Sequence, residues 1–243
     1  TPNMDSIAAN GVRFTDGYVT CPVCSPSRAA LLTGRYQNRF GHEYNASPEL
    51  RALRNEYGLP TDEITMADQL KQCGYTTSAI GKWHLGPGKR FHPHKRGFDH
   101  FFGFQGGMHS YFGSYDQWYD FLNPLVDGTK VVEDEQYLTD AFAREAIEFI
   151  DRNQGGPFFM YLPFNAPHTP IQVPKEYIKR VSDIADPDRQ KFAAMICALD
   201  DAIGCILQRL RELDIEENTL IFFISDNGGA ESHGATNEPF RGQ

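Results

Sequence analysis

The sequence lacks any apolar run near the ~18 to 20 residues needed to cross a bilayer, so no membrane span is expected. It also lacks a basic block. Lys and Arg number 23 against 32 Asp and Glu, for a formal net charge of −9, which gives nucleic-acid binding little support. The five cysteines, Cys21, Cys24, Cys73, Cys197 and Cys205, are scattered and do not make a disulfide framework. There is no internal repeat and no low-complexity linker. The chain opens on Thr1, and no signal-like apolar segment follows; targeting information further upstream would not be visible, so the compartment is not read from this. What remains is a 243-residue chain, 40% hydrophobic, long enough for one large α/β domain or two small ones.

Helical and strand patterns alternate, as expected for a parallel or mixed sheet covered by helices. A short helix is predicted at Met4–Asn10 and a strand at Val12–Val19. Glu63–Cys73 reads as a helix closed by Gly74, and Thr76–Ile80 as a buried strand. Residues 85–136 are rich in Gly, aromatics and His, without clean periodicity, and read as a long irregular excursion. Leu138–Asn153 is predicted as a helix with Phe142, Ala146, Phe149 and Ile150 on one face. Pro157–Phe164 follows as a strand. Arg189–Leu213 is predicted as a long amphipathic helix through Met195, Leu199, Ile203, Leu207 and Leu210, with Cys197 and Cys205 taken into its core. Leu220–Ser225 reads as a last strand, ending in Asp226-Asn227-Gly228-Gly229.

The run Pro22-Val23-Cys24-Ser25-Pro26-Ser27-Arg28-Ala29-Ala30-Leu31-Leu32-Thr33-Gly34 carries the most chemistry. Ser25 is predicted as the N-cap of a helix and Pro26 as its first residue, with Gly34 as the stop. The side chain at 24 would then sit over exposed helix N–H groups, where an anion is stabilised. Arg28, one turn on, can return its guanidinium to the same spot. Cys21 and Cys24 form a C-x-x-C, but the small βαβ context of a redox motif is missing. So is the second Cys or His pair of a zinc site.

The whole run resembles the type I sulfatase signature, whose Cys-x-Pro-Ser-Arg core is oxidised at the cysteine to formylglycine. The resemblance implies a formylglycine at position 24, made by a maturation enzyme. Gly74-Tyr75-Thr76-Thr77-Ser78-Ala79-Ile80-Gly81-Lys82-Trp83-His84 resembles the second signature, and a strand here sends Lys82 and His84 to the same side. Asn165-Ala166-Pro167-His168-Thr169-Pro170 resembles the family's Pro-His-x-Pro segment, which assigns His168 to sulfate binding. Ser225-Asp226-Asn227-Gly228-Gly229 resembles its metal segment; Asp226 and Asn227 offer the hard oxygens that Ca²⁺ or Mg²⁺ requires. Each group follows a predicted strand or opens a helix, and ligands in open α/β sheets bind beyond the carboxyl ends of strands.

Further candidates lie outside these motifs. Ser110 and His109 are taken as pocket-lining, with Ser110 a substrate-binding candidate, and His233 as a rim residue. His92, His94 and His100 are read as loop or rim residues rather than metal ligands. Asn45-Ala46-Ser47 fits a glycosylation sequon.

The resemblance implies an alkaline-phosphatase-like α/β sandwich, with a mostly parallel central sheet and helices on both faces. Residues 1–243 would be its N-terminal catalytic domain, truncated at both ends. An acidic pair upstream, a lysine downstream and a smaller C-terminal domain are expected outside it. The implied activity is sulfate-ester hydrolysis through Cys24, Arg28, Lys82, His84 and His168, with sulfated sugars or aryl sulfates as substrates. A periplasmic, extracellular or lysosomal location is implied as well. Two alternatives stand beside it: a phosphodiester or phosphonate ester hydrolase of the same superfamily, and a non-catalytic relative that binds sulfated glycans.

Overall fold

A computed structural model describes residues 1–46, 57–113 and 118–239. Its centre is a five-stranded sheet built from β1 (Thr76–Lys82), β2 (His100–Phe104), β3 (Val126–Asp127), β4 (Lys130–Val131) and β5 (Phe158–Tyr161), in the order β4-β3-β2-β1-β5. β1 is parallel to β2, with Ser78 opposite His100 and Lys82 opposite Phe104, and parallel to β5, with Ala79 opposite Tyr161. The short β3–β4 hairpin adds the antiparallel edge.

The period of two along the strands loads both faces. Ile80, Phe102 and Phe104 join a core with α5 (Leu138–Asn153) and α7 (Pro187–Glu212), the short helices α4 (Trp118–Leu122) and α6 (Lys175–Arg180) lying before each. Ala79 and Phe101 point the other way, into a second core with Ala29 and Leu32 of α2 (Cys24–Thr33) and Ala67 of α3 (Met66–Gln72). Helices on both sides of a mostly parallel sheet are the architecture expected. α5 begins and ends where its periodicity predicted, and Phe142, Ala146, Phe149 and Ile150 are buried. Phe142 is fully buried, so truncating it to Ala would cost about 3–5 kcal/mol.

α1 (Pro2–Ala9) has no side-chain cap of its own. Asp200, buried on α7, takes its place: Oδ1 accepts from the Met4 N–H at 2.8 Å and Oδ2 from the Asn3 N–H at 3.2 Å. A carboxylate on a helix N-terminus meets the positive end of the helix dipole and ties α1 to α7.

Several expectations shift. α1 starts at Pro2, not Met4, because Pro suits a first turn. α3 starts at Met66, not Glu63: Thr65 and Asp68 make a capping box, and Glu63 sits in the turn before it. α7 starts at Pro187, because Asp186 accepts from the Arg189 N–H at 2.7 Å. The irregular excursion holds a real strand, β2, whose HFFGF sequence has no alternation because both faces are covered. Val12–Val19 and Leu220–Ser225 are not strands; they carry no ladder partner among the described residues, and Phe14 and Phe222 are exposed. An apolar, β-prone segment is a local property, whereas a strand needs a neighbour. Cys197 is only partly buried and Cys205 is exposed, off the face of α7 that packs.

Candidate active site

α2 begins at Cys24 itself, two residues before the predicted start. Ser25 is therefore not the N-cap; Val23 is, and it has no side chain able to cap. The free Ser25 N–H is instead met from outside by Asn45 Oδ1 at 3.0 Å. Cys24 thus lies in the first turn and is almost wholly buried. One turn on, Arg28 is buried and its fork is fully used. Nε and Nη2 hold Asp226 Oδ2 at 2.8 and 2.7 Å, and Nη1 donates to the Lys82 carbonyl at 2.7 Å. Tyr161, at the end of β5, approaches the same guanidinium at 3.5 Å.

Lys82 ends β1 with its ammonium 3.4 Å from Cys24 Sγ. Burial, then the neighbouring Arg28 charge, lower its pKa. Asp226 moves down as well: burial would raise it, but Arg28 and Lys82 prevail. The close approach of the next loop depends on Gly81, at φ 125°. A Cβ there would lie 2.2 Å from the Pro163 carbonyl oxygen, which instead accepts from the Lys82 N–H at 2.9 Å. That seam carries the chain from β5 to His168.

His84 follows β1 in a left-handed conformation, φ 55°, rare for a residue with a side chain. Its N–H donates to the Gln105 carbonyl at 3.1 Å, and its Nδ1 is buried without a partner. Burial first, then the charges of Lys82 and Arg28, hold the imidazole well below its usual range, which keeps it neutral. His168 lies on the exposed side of the cluster, between cis prolyl bonds at Pro167 and Pro170. Its Nδ1 meets the Thr169 carbonyl at 2.8 Å, which fixes the proton there and leaves Nε2 as an acceptor in the neutral ring. The protein packed around it, with Lys82 adding to the effect, lowers its pKa to about 4.

One cluster, buried at residue 24, Arg28, Lys82 and His84 and open at His168, therefore gathers residue 24, two cations, a carboxylate and two neutral histidines from four segments of the chain. The sulfatase family profile matches residues 1–243.

The chain belongs to the sulfatase family.

It is 36% identical to the N-acetylgalactosamine-6-sulfatase of Canis lupus familiaris over 265 residues, which is 99% of this chain and 48% of that protein. It is 34% identical to arylsulfatase J of Mus musculus over all of this chain and 41% of that one. The chain thus spans about half the length of these relatives. Among solved structures, Ps i-CgsB in complex with k-i-k-neocarrahexaose superposes with a TM-score of 0.92 at 41% identity, covering 98% of this chain and 55% of that one.

Within this sulfatase-family fold, Cys24, Arg28, Lys82, His84, His168 and Asp226 lie together. Asn227 follows Asp226, and its Oδ1 is buried with no hydrogen-bond partner. An orphaned oxygen beside a carboxylate suits an oxygen-liganded cation, so Asp226 and Asn227 fit part of a Ca²⁺ or Mg²⁺ site; Ca²⁺ takes about 6–8 such ligands. No group of three or more His, Cys, Asp or Glu side chains converges among the described residues.

Ser110 does not join the cluster. Its N–H donates to the buried Asp120 at 2.8 Å, and its hydroxyl is buried without a partner. His109 packs on Phe104, with its Nδ1 at the Ser110 carbonyl. From that loop Gly107 meets the site, its Cα backing onto the His84 ring. His92 and His100 are loop and sheet residues, on the Gly128 carbonyl and the Ser78 hydroxyl, and His94 packs edge-on against His92. His100 starts β2 while Lys82 lies opposite its far end, so His100 is set away from the cluster. His233 sits on an exposed turn. Ser47 of the sequon lies outside the described residues. No helix of the described residues is long and apolar enough to cross a membrane.

Sequence reasoning missed Asn45, Gly107 and Tyr161. Only Tyr161 carried a signal, since it ends a strand as Lys82 does.

Proposed function

We propose that the chain is the catalytic domain of a sulfatase that hydrolyses R–O–SO₃⁻ to an alcohol and sulfate. The observation that carries this is the Lys82 ammonium beside Cys24 Sγ, with Arg28 locked between Asp226 and the Lys82 carbonyl. Preorganised cations around a nucleophilic position stabilise the charge that develops when a sulfate ester is attacked.

Oxidation of Cys24 to formylglycine by a maturation enzyme would supply a hydrated aldehyde, with one hydroxyl to attack sulfur and a second to release it. Lys82 binds a sulfate oxygen. Arg28 holds Asp226 and the first turn of α2 in register. His84, neutral and buried, accepts the proton of the second hydroxyl as sulfate leaves. His168 begins as a neutral acceptor; a bound sulfate ester adds negative charge beside it, raises its pKa and lets Nε2–H donate toward the leaving oxygen. Asp226 and Asn227 would hold a Ca²⁺ or Mg²⁺ ion, which would neutralise sulfate charge. Its remaining ligands, and a further lysine, are proposed to come from outside residues 1–243.

Substrates are proposed to be sulfated sugars, including sulfated polysaccharides. The likeness to N-acetylgalactosamine-6-sulfatase and to a structure holding k-i-k-neocarrahexaose supports this. The same kinship supports a location outside the cytosol.

The test is Cys24→Ala in the matured protein, assayed on an aryl sulfate and on sulfated oligosaccharides. Turnover should vanish on both. Retained turnover would refute the role of residue 24.

A further inference from the structure

A buried histidine outside the mechanism stands directly behind residue 24. His42 is 0% exposed, and its Nε2 lies 2.7 Å from the hydroxyl of Ser25, itself fully buried. The imidazole lies flat against Tyr57, with centroids 5.1 Å apart and planes 7° from parallel. The Tyr57 hydroxyl in turn pins the chain beside it, accepting from the Tyr44 N–H at 2.8 Å and donating to the Tyr44 carbonyl at 3.0 Å. The next residue, Asn45, caps the Ser25 N–H.

Ser25 is therefore gripped at its backbone and its side chain by one segment, and it shares a peptide bond with Cys24. α2 has no cap of its own, so this clamp fixes its first turn from the N-terminal side, as Arg28 does from one turn on. Capping alone would need only Asn45. The hydrogen bond to Ser25 Oγ and the stacked ring behind it add nothing to the helix's backbone accounting; they restrict where the Cα of residue 24 can sit relative to Lys82.

We propose that His42 is a positioning residue for residue 24, acting through the Ser25 hydroxyl. This rests on residue 24 as the origin of the nucleophile.

The experiment compares Ser25→Ala, His42→Phe and the double variant in the matured protein. His42→Phe keeps an aromatic ring on Tyr57 and loses the hydrogen bond. Turnover of an aryl sulfate is expressed per formylglycine-bearing molecule. Because misplacement by ~1 Å costs about 10²-fold, each single variant should lower kcat roughly 10- to 100-fold with KM within about threefold. The double variant should be no worse than the poorer single one, since one contact is being removed twice. In unmatured protein, alkylation of Cys24, read against exposed Cys73 as internal reference, should rise several-fold in both single variants as the buried thiol loses its place.

Unchanged kcat and an unchanged alkylation ratio would overturn the proposal, as would losses that add in the double variant. If His42→Phe does not fold, Ser25→Ala alone decides. If the parent protein turns over no sulfate ester, the sulfatase reading fails, and the alkylation ratio still decides the role of His42.

Discussion

Gly107→Ala adds one methyl group against the ring of His84, the proposed proton acceptor. A Cβ at 107 would stand 2.6 Å from His84 Cε1 and 2.7 Å from Nε2, where ordinary contact begins at 3.4 Å. The shortfall is about 0.7–0.8 Å, and something must move by that much. His84 is poorly able to yield. It is buried, its backbone is already in the left-handed region, and its N–H is tied to Gln105. The loop bearing Gly107 is no freer, because Tyr111 four residues on donates its hydroxyl to the His168 carbonyl at 2.9 Å. Overpacking of this kind costs about 1–3 kcal/mol of stability. Displacing a proton acceptor by most of an ångström should lower kcat roughly 30- to 100-fold, with KM changed only a few-fold, because the step that suffers follows sulfate binding. The assay is steady-state turnover of an aryl sulfate by matured protein, with thermal melting alongside. Gly155→Ala is the control, since a Cβ there meets nothing within 4 Å. If Gly107→Ala keeps kcat within about twofold of the parent, the methyl has been accommodated and the assignment of His84 as a locked acceptor is wrong.

Arg28→Lys keeps a charge but cannot hold two Asp226 contacts and the Lys82 carbonyl together. Stability in urea should fall by about 2–4 kcal/mol, and a change below 0.5 kcal/mol would refute a structural need for the fork. Folding lowers the His42 pKa to about 4 from 6.5, chiefly by burial, so the native state disfavours its proton. Its share of stability is whole above pH 6.5 and is lost as pH falls toward 4, up to about 3 kcal/mol. Urea melts at pH 7 and 4.5 should therefore show less acid sensitivity in His42→Phe than in the parent. Asn227→Ala should weaken Ca²⁺ binding at least about tenfold by titration calorimetry, and equal affinity would remove Asn227 from the metal site. Residues 1–243 alone should turn over aryl sulfates poorly, because Asp226 and Asn227 are too few ligands; robust metal-dependent turnover by this piece would count against the proposed outside ligands.

The parts of the site that were legible beforehand share a physical reason. Cys24, Arg28, Lys82, His168 and Asp226 lie in short motifs whose spacing is set by one local element, so their geometry is written locally. α5 and α7 were legible for the same reason, since a long 3.6-residue period survives in almost any tertiary context. Asn45, His42 and Gly107 were not. Asn45 acts on a helix twenty residues upstream, and Gly107 matters for a side chain it lacks; neither fact is contained in its own neighbourhood. Ser110 shows the converse, a polar residue in the right loop with its backbone committed elsewhere. The error at the start of α2 has the same origin: Ser25 is a good cap by type, but Asn45 had already taken its N–H.

The ion pair between Arg28 and Asp226 joins residues 198 positions apart. A ribosome adding ~5–20 residues per second takes about 10–40 s to cover that distance. Through that interval one wall of the pocket around the thiol at 24 has yet to be made. Any enzyme that must reach Cys24, nearly buried in the finished fold, has that stretch of synthesis in which to do so. The span of one salt bridge thus acts as a clock on the chemistry of the residue it encloses.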